Sequence, residues 1–333
     1  MHTFVLSGSS FLIGFFSALI ISKYGLRWGL RDIPSERSAH TQITPKGGGV
    51  GIPLSLAIIA FFIPGISNLF LIFAFILVII SFIDDRINLS VHIRLLFQFI
   101  LGVLLVLSYK DFLFAPIRQV YGLIALVLVI LYFSIYVVAA TNFFNFMDGI
   151  NGIAGFEAII SFGFLWIFVH HYKNLPDICM IALAVCFSTL GFLVLNFPKA
   201  RVFMGDAGST FLGFLYAGMV VYIATTLKET LVLTLFQSVF YVDAISTIFL
   251  RLLNKENILQ AHKKHLYQKL VHNYQLSQTK VALLFGAAQT TIALIALLLF
   301  KSGIKSGIWP LLSLWGLVFI IYWGLIIKLD LAK

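Results

Sequence analysis

The chain has 333 residues, of which 60% are hydrophobic and only 11% are charged, and its mean hydropathy is +1.02. A soluble domain needs far less apolar side chain for one core, so the composition excludes an ordinary soluble protein and indicates a polytopic membrane protein. The net charge of +10 is scattered and forms no Lys/Arg block, which argues against a nucleic-acid partner. The two cysteines, Cys179 and Cys186, lie in an apolar run and are interpreted as packing residues.

Apolar runs recur along the whole chain, and a helical span needs about 20 such residues. The runs cover residues 4–22, 50–63, 68–83, 92–108, 120–139, 153–169, 178–195, 209–226, 230–250, 281–300 and 308–327. We therefore predict an all-α integral membrane protein with about eleven transmembrane helices, or ten, because the second to fourth runs are short. No soluble domain is left over, so residues 1–333 are predicted to form a single membrane domain.

The distribution of Lys and Arg predicts the orientation of these spans. With the N-terminus outside, only six of the 23 basic residues fall on the outer side, all in short connections. They are Lys110, Arg118, Lys173, Lys228, Lys301 and Lys305. The positive-inside rule therefore favours an outer N-terminus and a cytoplasmic C-terminus.

In this topology every polar cluster falls on the inner face. The clusters comprise residues 31–49, 84–98, 142–152, 196–209 and 251–280. The outer connections are short and contain no comparable polar cluster. This asymmetry predicts one composite cytoplasmic site that is assembled from five inner loops.

The first cluster combines cationic side chains, among them Arg37, His40 and Lys46, with a glycine triplet at residues 47–49. Glycines let backbone amides approach a ligand closely, so the loop could hold phosphates through Arg37 and His40. It lacks the spacing of a P-loop. A solvated interfacial loop is the alternative at this point.

The second and third clusters contribute carboxylates and amides. Adjacent Asp84 and Asp85 at a membrane boundary suggest a nearby cation, usually Mg²⁺ where phosphates are involved, although a helix cap would also explain them. Asn142, Asn145 and Asp148 follow at intervals of three, which places them near one face of a helix. A capped turn between helices is the alternative, but it accounts for the neighbouring glycines and not for three aligned polar residues.

The fourth and fifth clusters are less specific. Asp206 lies between glycines ahead of a predicted helix, where it either caps that helix or helps to hold a metal that bridges to phosphate. His262 and His265 lie three apart in the longest inner loop. Their basic neighbours oppose cation binding, so phosphate contact or interfacial packing is favoured over a transition-metal pair.

Five motifs in this order resemble the polyprenyl-phosphate N-acetylhexosamine-1-phosphate transferases over nearly the whole chain. The matching residues are Asp32, Pro34, Arg37, His40, Pro45, Gly48 and Gly49, then Asp84-Asp85, then Asn142, Asn145, Asp148 and Gly149, then Phe203 to Ser209, with Asp243 and Arg251 further on. Many members have an aspartate at the position of Asn151. The segment from Gln260 to Gln268 is similar to the subgroup that initiates O-antigen and related surface polysaccharides.

The resemblance implies an enzyme that transfers a sugar 1-phosphate from a UDP-N-acetyl sugar to undecaprenyl phosphate and releases UMP. It implies Mg²⁺ as cofactor, with Mn²⁺ as an alternative, in the inner membrane of a bacterium. A homodimer is compatible with this interpretation. The rival interpretation is a transporter with intramembrane carboxylates on an ion path, which the clustering at one face disfavours.

The resemblance also implies roles for individual residues. The expected catalytic carboxylates are Asp84, Asp85, Asp148 and Asp206, with Asp206 holding the metal beside Asp85 or Asp148 and Asp84 orienting or deprotonating the lipid phosphate. The expected substrate-binding residues are Arg37, His40, Lys46, Gly48, Arg94, Asn142, Asn145, Asn151, His262 and His265.

Overall fold

The computed structural model describes residues 2–34, 42–62, 68–87, 89–260, 262–302 and 307–331. The helices are α1 (His2–Tyr24), α2 (Gly51–Phe62), α3 (Asn68–Ile87), α4 (Val91–Ser108), α5 (Lys110–Met147), α6 (Ile153–Tyr172), α7 (Pro176–Asn196), α8 (Asp206–Ile223), α9 (Leu227–Leu235), α10 (Ser238–Leu253), α11 (Leu266–His272), α12 (Gln278–Lys301) and α13 (Trp309–Leu331). Two strands, β1 (Arg31–Asp32) and β2 (Thr44–Pro45), pair antiparallel, and a 3-10 turn covers Gly48–Val50.

The predicted all-α membrane architecture is confirmed. Within the described ranges, eight helices are long and apolar enough to cross a membrane, and the bent pair α9 and α10 brings the number to nine. The second and third predicted runs form the shorter apolar helices α2 and α3. Each predicted run therefore corresponds to helix, and the expected count of about eleven is reached only when these two short helices are included.

The ninth predicted run is not one straight helix. It breaks between α9 and α10, whose axes differ by 87°. The side chain of Gln289 on α12 bridges the break, since it donates to Leu235 O at 2.9 Å and accepts from Val239 N at 2.9 Å. Backbone groups that a break exposes inside a membrane need such partners. The bend therefore fixes the direction of α10 relative to α9.

Helix α8 lies at the centre of the molecule and is almost entirely buried. It packs against α3 and α5, and a Cβ at Gly213 would lie only 2.7 Å from the carbonyl oxygen of Ala140 on α5. The absence of a side chain at Gly213 thus permits close contact between the two backbones. Because α8 is held on several sides, its first residue, Asp206, projects from a rigid element.

The glycine triplet connects the loop at residues 42–50 to the start of α8. The backbone N–H of Gly48 donates to Phe203 O at 2.8 Å, and that of Gly49 donates to Met204 O at 2.9 Å. Both glycines are buried. The prediction that Gly48 binds substrate is therefore at odds with this geometry, because its backbone N–H already donates a hydrogen bond to Phe203 O.

Candidate active site

One cavity of about 850 Å³ opens at the end of the molecule where α5 ends and where α4 and α8 begin. All five predicted polar clusters contribute to its lining. The polar lining includes Asp32, Lys46, Arg94, Asn142, Asn145, Asp148, Asn151, Asp206, His262 and His265. The prediction that the clusters converge on one composite site is confirmed by this arrangement.

Three carboxylates face this cavity, and they influence one another. The pKa of Asp148 is raised from 3.8 to about 7. Burial is the largest cause, and the negative charges of Asp206 and Asp32 add to it. Like charges that share a site disfavour ionisation of one member. The cavity therefore contains an acidic group that is half neutral near pH 7 unless a cation compensates it.

Asp32 is the member of this group that the sequence reasoning did not assign to the site. It lies on β1, opposite Thr44 of β2, and it lines the cavity. The signal that could have found it is its place at the head of the Asp-x-Pro segment that carries the first motif.

Asp206 does not cap its helix through its side chain. Gly205 precedes α8 with φ 78°, a conformation that favours glycine, and no side chain caps the helix. Instead Asp206 Oδ1 accepts from Asn145 Nδ2 at 3.1 Å, and the same amide group donates to Ser209 Oγ at 2.9 Å. Asn145 thus orients the Asp206 carboxylate, and the carboxylate remains open to the cavity.

Arg94 links the two acidic clusters. Its guanidinium lies 2.9 Å from Asp84 Oδ2 and 3.8 Å from Asp206 Oδ2. The other oxygen of Asp84 accepts the backbone N–H of Leu89 at 2.7 Å. Asp84 is buried, so in this geometry both of its oxygens position Arg94 and the start of α4. The backbone of Asp85 lies in α3, but its side chain lies outside what the structure describes.

The three polar residues at spacing three do not all lie on one helical face. Asn142 and Asn145 belong to α5, but Asp148 lies beyond its last residue with φ −83° and ψ 58°. Asn142 donates to Gln98 Oε1 of α4 at 2.5 Å and to Val138 O at 2.8 Å. The common-face prediction is therefore wrong for Asp148, although all three side chains reach the same cavity.

Asn151 connects the end of α5 to the loop that precedes α8 and to the start of α12. Its side-chain amide donates to Pro198 O at 3.2 Å, and its backbone N–H donates to Gln278 Oε1 at 3.1 Å. The next amide, that of Gly152, donates to Asn196 Oδ1 at 2.8 Å. A carboxylate cannot donate to the Pro198 carbonyl, so this contact gives a physical reason for an asparagine at position 151.

The two histidine rings lie side by side in the cavity lining, tilted by 34° with centroids 4.9 Å apart. The pKa of His262 is lowered to about 4. Burial is the largest cause, and the nearby His265, Arg251 and Lys264 add to it. Without a bound anion, this shift favours the neutral ring of His262 at pH 7. His265 is almost fully buried, and its Nδ1 lies 2.8 Å from Asp243 Oδ1.

The loop that carries these histidines is anchored by an interaction network that the sequence reasoning had not assigned. The buried guanidinium of Arg251 donates to the carbonyls of Asn257 and Ile258 and contacts Glu256 at 3.3 Å. Glu256 also pairs with Lys264, and the Lys264 hydrogen bond lowers the pKa of Glu256 below its ordinary value. This network holds the loop from residue 254 to residue 260 against α10.

Two predicted substrate-binding residues, Arg37 and His40, lie outside the described residues. The cationic side chains that the structure does place at the cavity are Arg94 and Lys46. Lys46 is fixed by its backbone, which forms a parallel bridge to Phe203 just ahead of Asp206.

One side of the cavity is apolar. Leu95 of α4, Ile135, Val138 and Ala139 of α5, and Ile248 of α10 line it beside the polar groups. Ile135 and Leu131 of α5 are exposed on the outer surface of the molecule. The cavity thus joins a charged region to the lipid-facing surface of a membrane span.

The donor set fits Mg²⁺ better than a transition metal. The carboxylates of Asp32, Asp148 and Asp206 offer hard oxygen donors, whereas the histidines belong to a basic loop. Within the described ranges, no three His, Cys, Asp or Glu side chains form a preformed metal cage. Mg²⁺ does not require one, because it keeps several waters and binds through one or two carboxylates plus substrate phosphates.

The fold and the cavity define a polytopic membrane protein with acidic and basic side chains gathered at one end of its spans. Residues 67–224 match the model of glycosyl transferase family 4. The matched segment covers somewhat less than half of the chain.

Three relatives illustrate the similarity. A probable undecaprenyl-phosphate N-acetylglucosaminyl 1-phosphate transferase of Bacillus subtilis is 27% identical over 79% of this chain and 76% of its own length. An undecaprenyl-phosphate alpha-N-acetylglucosaminyl 1-phosphate transferase of Salmonella typhi is 30% identical over 62% of this chain, and one of Escherichia coli K12 is 30% identical over 58%. The chain spans 58% and 54% of the lengths of these last two relatives.

Proposed function

We propose that this protein transfers a sugar 1-phosphate from a UDP-N-acetyl sugar to undecaprenyl phosphate, releasing UMP and forming an undecaprenyl-diphosphate sugar. The observation that carries the proposal is the single cavity in which three carboxylates and two cations adjoin an apolar wall. A reaction between a nucleotide diphosphate and a lipid phosphate needs these two environments in contact. The match to glycosyl transferase family 4 and the names of the similar proteins support the same chemistry.

The polar residues of the cavity would position and neutralise two phosphorylated substrates. Phosphoryl transfer depends on alignment and charge neutralisation more than on covalent help from the protein. Arg94 is held by Asp84 at 2.9 Å, and its partly exposed guanidinium would contact a phosphate oxygen. Lys46, on the opposite loop, would contact a second phosphate.

The carboxylate of Asp206, with that of Asp148 or Asp32 beside it, would hold a Mg²⁺ ion together with substrate phosphates. Bound there, the ion would neutralise the phosphate charge that develops as the diphosphate bond is exchanged. Asn145 contributes by fixing the orientation of the Asp206 carboxylate. The raised pKa of Asp148 is consistent with a site whose clustered negative charge a bound cation would balance.

The apolar wall would receive the first isoprene units of the acceptor. The prenyl chain remains among the lipid-facing side chains of α5 while its phosphate reaches the residues at the end of the span. Ile135 and Val138 lie one to two turns before Asn142 on the same helix. This arrangement lets a lipid substrate react without leaving the bilayer.

The relatives are named for N-acetylglucosamine, so we propose UDP-N-acetylglucosamine as the first donor to test. Its lipid product would serve as the first membrane intermediate of a surface polysaccharide of the O-antigen type. The cavity and the C-terminus would face the cytoplasm, where nucleotide sugars are present. Reporters placed near Lys110 and near Asn273 should then report opposite sides of the membrane, and reporters on the same side would contradict this topology.

Purified protein in detergent tests the proposal directly. It is given undecaprenyl phosphate, Mg²⁺ and a panel of UDP-sugars, and UMP release is measured. We expect release with at least one UDP-N-acetyl sugar and none without the lipid phosphate. Absence of release with every donor, from protein that remains folded and monodisperse, would refute the enzyme.

A further inference from the structure

Gln98 is a buried side-chain amide on α4 that lies close to the site but outside the lining of the large cavity. It is only 5% exposed, and it follows Arg94 by one helical turn on the same face of α4. It lines a recess of about 10 Å³ where α3, α4, α5 and α8 meet, which is too small for more than about one water molecule. A substrate therefore cannot reach Gln98 directly, and any effect of Gln98 on a substrate has to pass through a neighbouring residue.

That neighbour is Asn142, whose side-chain amide is oriented by two acceptors. Asn142 Nδ2 donates to Val138 O at 2.8 Å and to Gln98 Oε1 at 2.5 Å. The oxygen and nitrogen ends of an amide are alike in shape, so their partners decide which end is which. A backbone carbonyl can only accept, so the end of Asn142 beside Val138 carries the hydrogens. The second hydrogen then requires an acceptor, and the oxygen of Gln98 supplies it.

The oxygen of the Asn142 side chain is left for a partner from outside. Its Oδ1 has no hydrogen-bond partner among the described residues, and it is not one of the buried polar atoms without a partner, so it is accessible. Asn142 is half-buried and lines the large cavity. Asn145, one turn further along α5, has the same pattern, because its amide hydrogens are donated to Asp206 and Ser209. This wall of the cavity therefore offers amide oxygens, which accept hydrogen bonds and do not donate them.

The close packing of α4 against α5 brings Gln98 within reach of Asn142. A Cβ at Gly102, one turn after Gln98, would lie only 3.3 Å from the backbone oxygen of Ser134 on α5. The missing side chain lets the two helices approach each other, as small residues do where membrane helices pack. The contact between Gln98 and Asn142 is therefore supported by the packing of two helix backbones.

We propose that Gln98 is a positioning residue, which holds the amide of Asn142 with its hydrogens turned into the protein and its oxygen available to the nucleotide sugar. An amide oxygen requires an O–H or N–H donor. A UDP-N-acetyl sugar carries such donors on its hydroxyls, its uracil and its acetamido group, whereas the ionised phosphate and the hydrocarbon of undecaprenyl phosphate offer only acceptors and apolar surface. The oxygen of Asn142 therefore serves the nucleotide sugar and not the lipid. This assignment of the ligand rests on the function proposed above, whereas the orientation of the amide does not.

Hydrogen exchange tests the orientation of the amide without any activity. The protein is labelled with ¹⁵N-asparagine in detergent, and the side-chain signals of Asn142 are identified by their loss in Asn142→Asp. Because both amide hydrogens of Asn142 are donated to protein groups, we expect both to exchange with D₂O more slowly than those of exposed Asn254. Exchange of either hydrogen as fast as in Asn254 would overturn the proposal, even if no variant of Gln98 folds.

Kinetics test whether Gln98 acts through Asn142 on the nucleotide sugar. We expect Gln98→Met to raise the KM of the UDP-sugar about 10-fold, on the scale of one misdirected hydrogen bond, and to leave the KM of undecaprenyl phosphate near its wild-type value. Gln98→Glu keeps an acceptor for Asn142 and should recover most of the loss. Leu96→Met, at an exposed position of α4, is the matched control and should change neither constant.

A double variant separates positioning from an independent effect. In Asn142→Ala, the further change Gln98→Met should leave the KM of the UDP-sugar unaltered, because the group that Gln98 orients is gone. Multiplicative losses in the double variant, or equal losses in Gln98→Met and Gln98→Glu, would contradict the proposal. If no donor supports UMP release, the proposed function fails, and the exchange experiment still decides the orientation of the amide.

Discussion

Asp148 should make the stability of the protein depend on pH in the neutral range. Burial, together with the charges of Asp206 and Asp32, raises its pKa from 3.8 to about 7. Because the folded-state pKa is the higher one, the protonated carboxyl favours the folded protein, and this contribution is lost as the pH rises through about 7. Without a metal ion, the wild-type protein should therefore be less stable at pH 8 than at pH 5.5.

The size of the effect follows from the two pKa values. Between pH 5.5 and pH 8 the unfolded carboxyl is ionised throughout, whereas the folded one changes from nearly fully protonated to nearly fully ionised. Linkage then gives a loss of about 2 kcal/mol over this interval. Asp148 is only half-buried, and solvent screens its interactions, so this value is an upper limit.

Thermal unfolding in detergent with EDTA measures this dependence. Asp148→Asn should remove most of the decrease in Tm between the two pH values. Asp177→Asn, at the start of α7, is the control and should keep the wild-type dependence. Added Mg²⁺ should reduce the wild-type decrease, because a cation compensates the three carboxylates. An unchanged pH dependence in Asp148→Asn would refute the electrostatic coupling inferred for this cavity.

Two further substitutions test the packing that supports the site. Gly149→Ala places a Cβ 2.1 Å from the hydroxyl oxygen of buried Tyr267, so we expect a loss of about 1–3 kcal/mol in stability and reduced UMP release. The control is Gly163→Ala, whose Cβ meets nothing within 4 Å and which should be neutral. Equal stability of the two variants would contradict the inferred contact. Gln289→Leu leaves a donor and an acceptor at the helix bend without partners, which should cost about 2–5 kcal/mol. Exposed Thr290→Val is its control, and a Gln289→Leu Tm equal to that of the control would show that the bend does not depend on this bridge.

The architecture was largely predictable from the sequence because apolar runs of sufficient length report directly on membrane insertion. The break in the ninth run was not, since residues 230–250 remain apolar throughout and the bend depends on Gln289, which is some fifty positions away. Periodicity cannot reveal a backbone partner on another helix. The same limit explains why the short second and third runs gave uncertain ends.

The site was predictable in its location but not in its details. The clustering of polar residues in five inner loops predicted their convergence, and the cavity contains residues from each loop. The sequence could not show that the N–H of Gly48 is used by Phe203 or that Asp148 leaves the helical face of Asn142. These features depend on how separate loops meet, and no local spacing encodes that.

UMP release by wild-type protein and by Asp206→Asn tests the central claim most directly. Both proteins receive undecaprenyl phosphate, UDP-N-acetylglucosamine and a range of Mg²⁺ concentrations, and thermal unfolding confirms that both are folded. We expect Mg²⁺-dependent release by the wild type and at least a roughly 100-fold loss in Asp206→Asn, on the order seen for essential charge-stabilising groups. Near-normal turnover of Asp206→Asn at saturating Mg²⁺ would contradict the central claim.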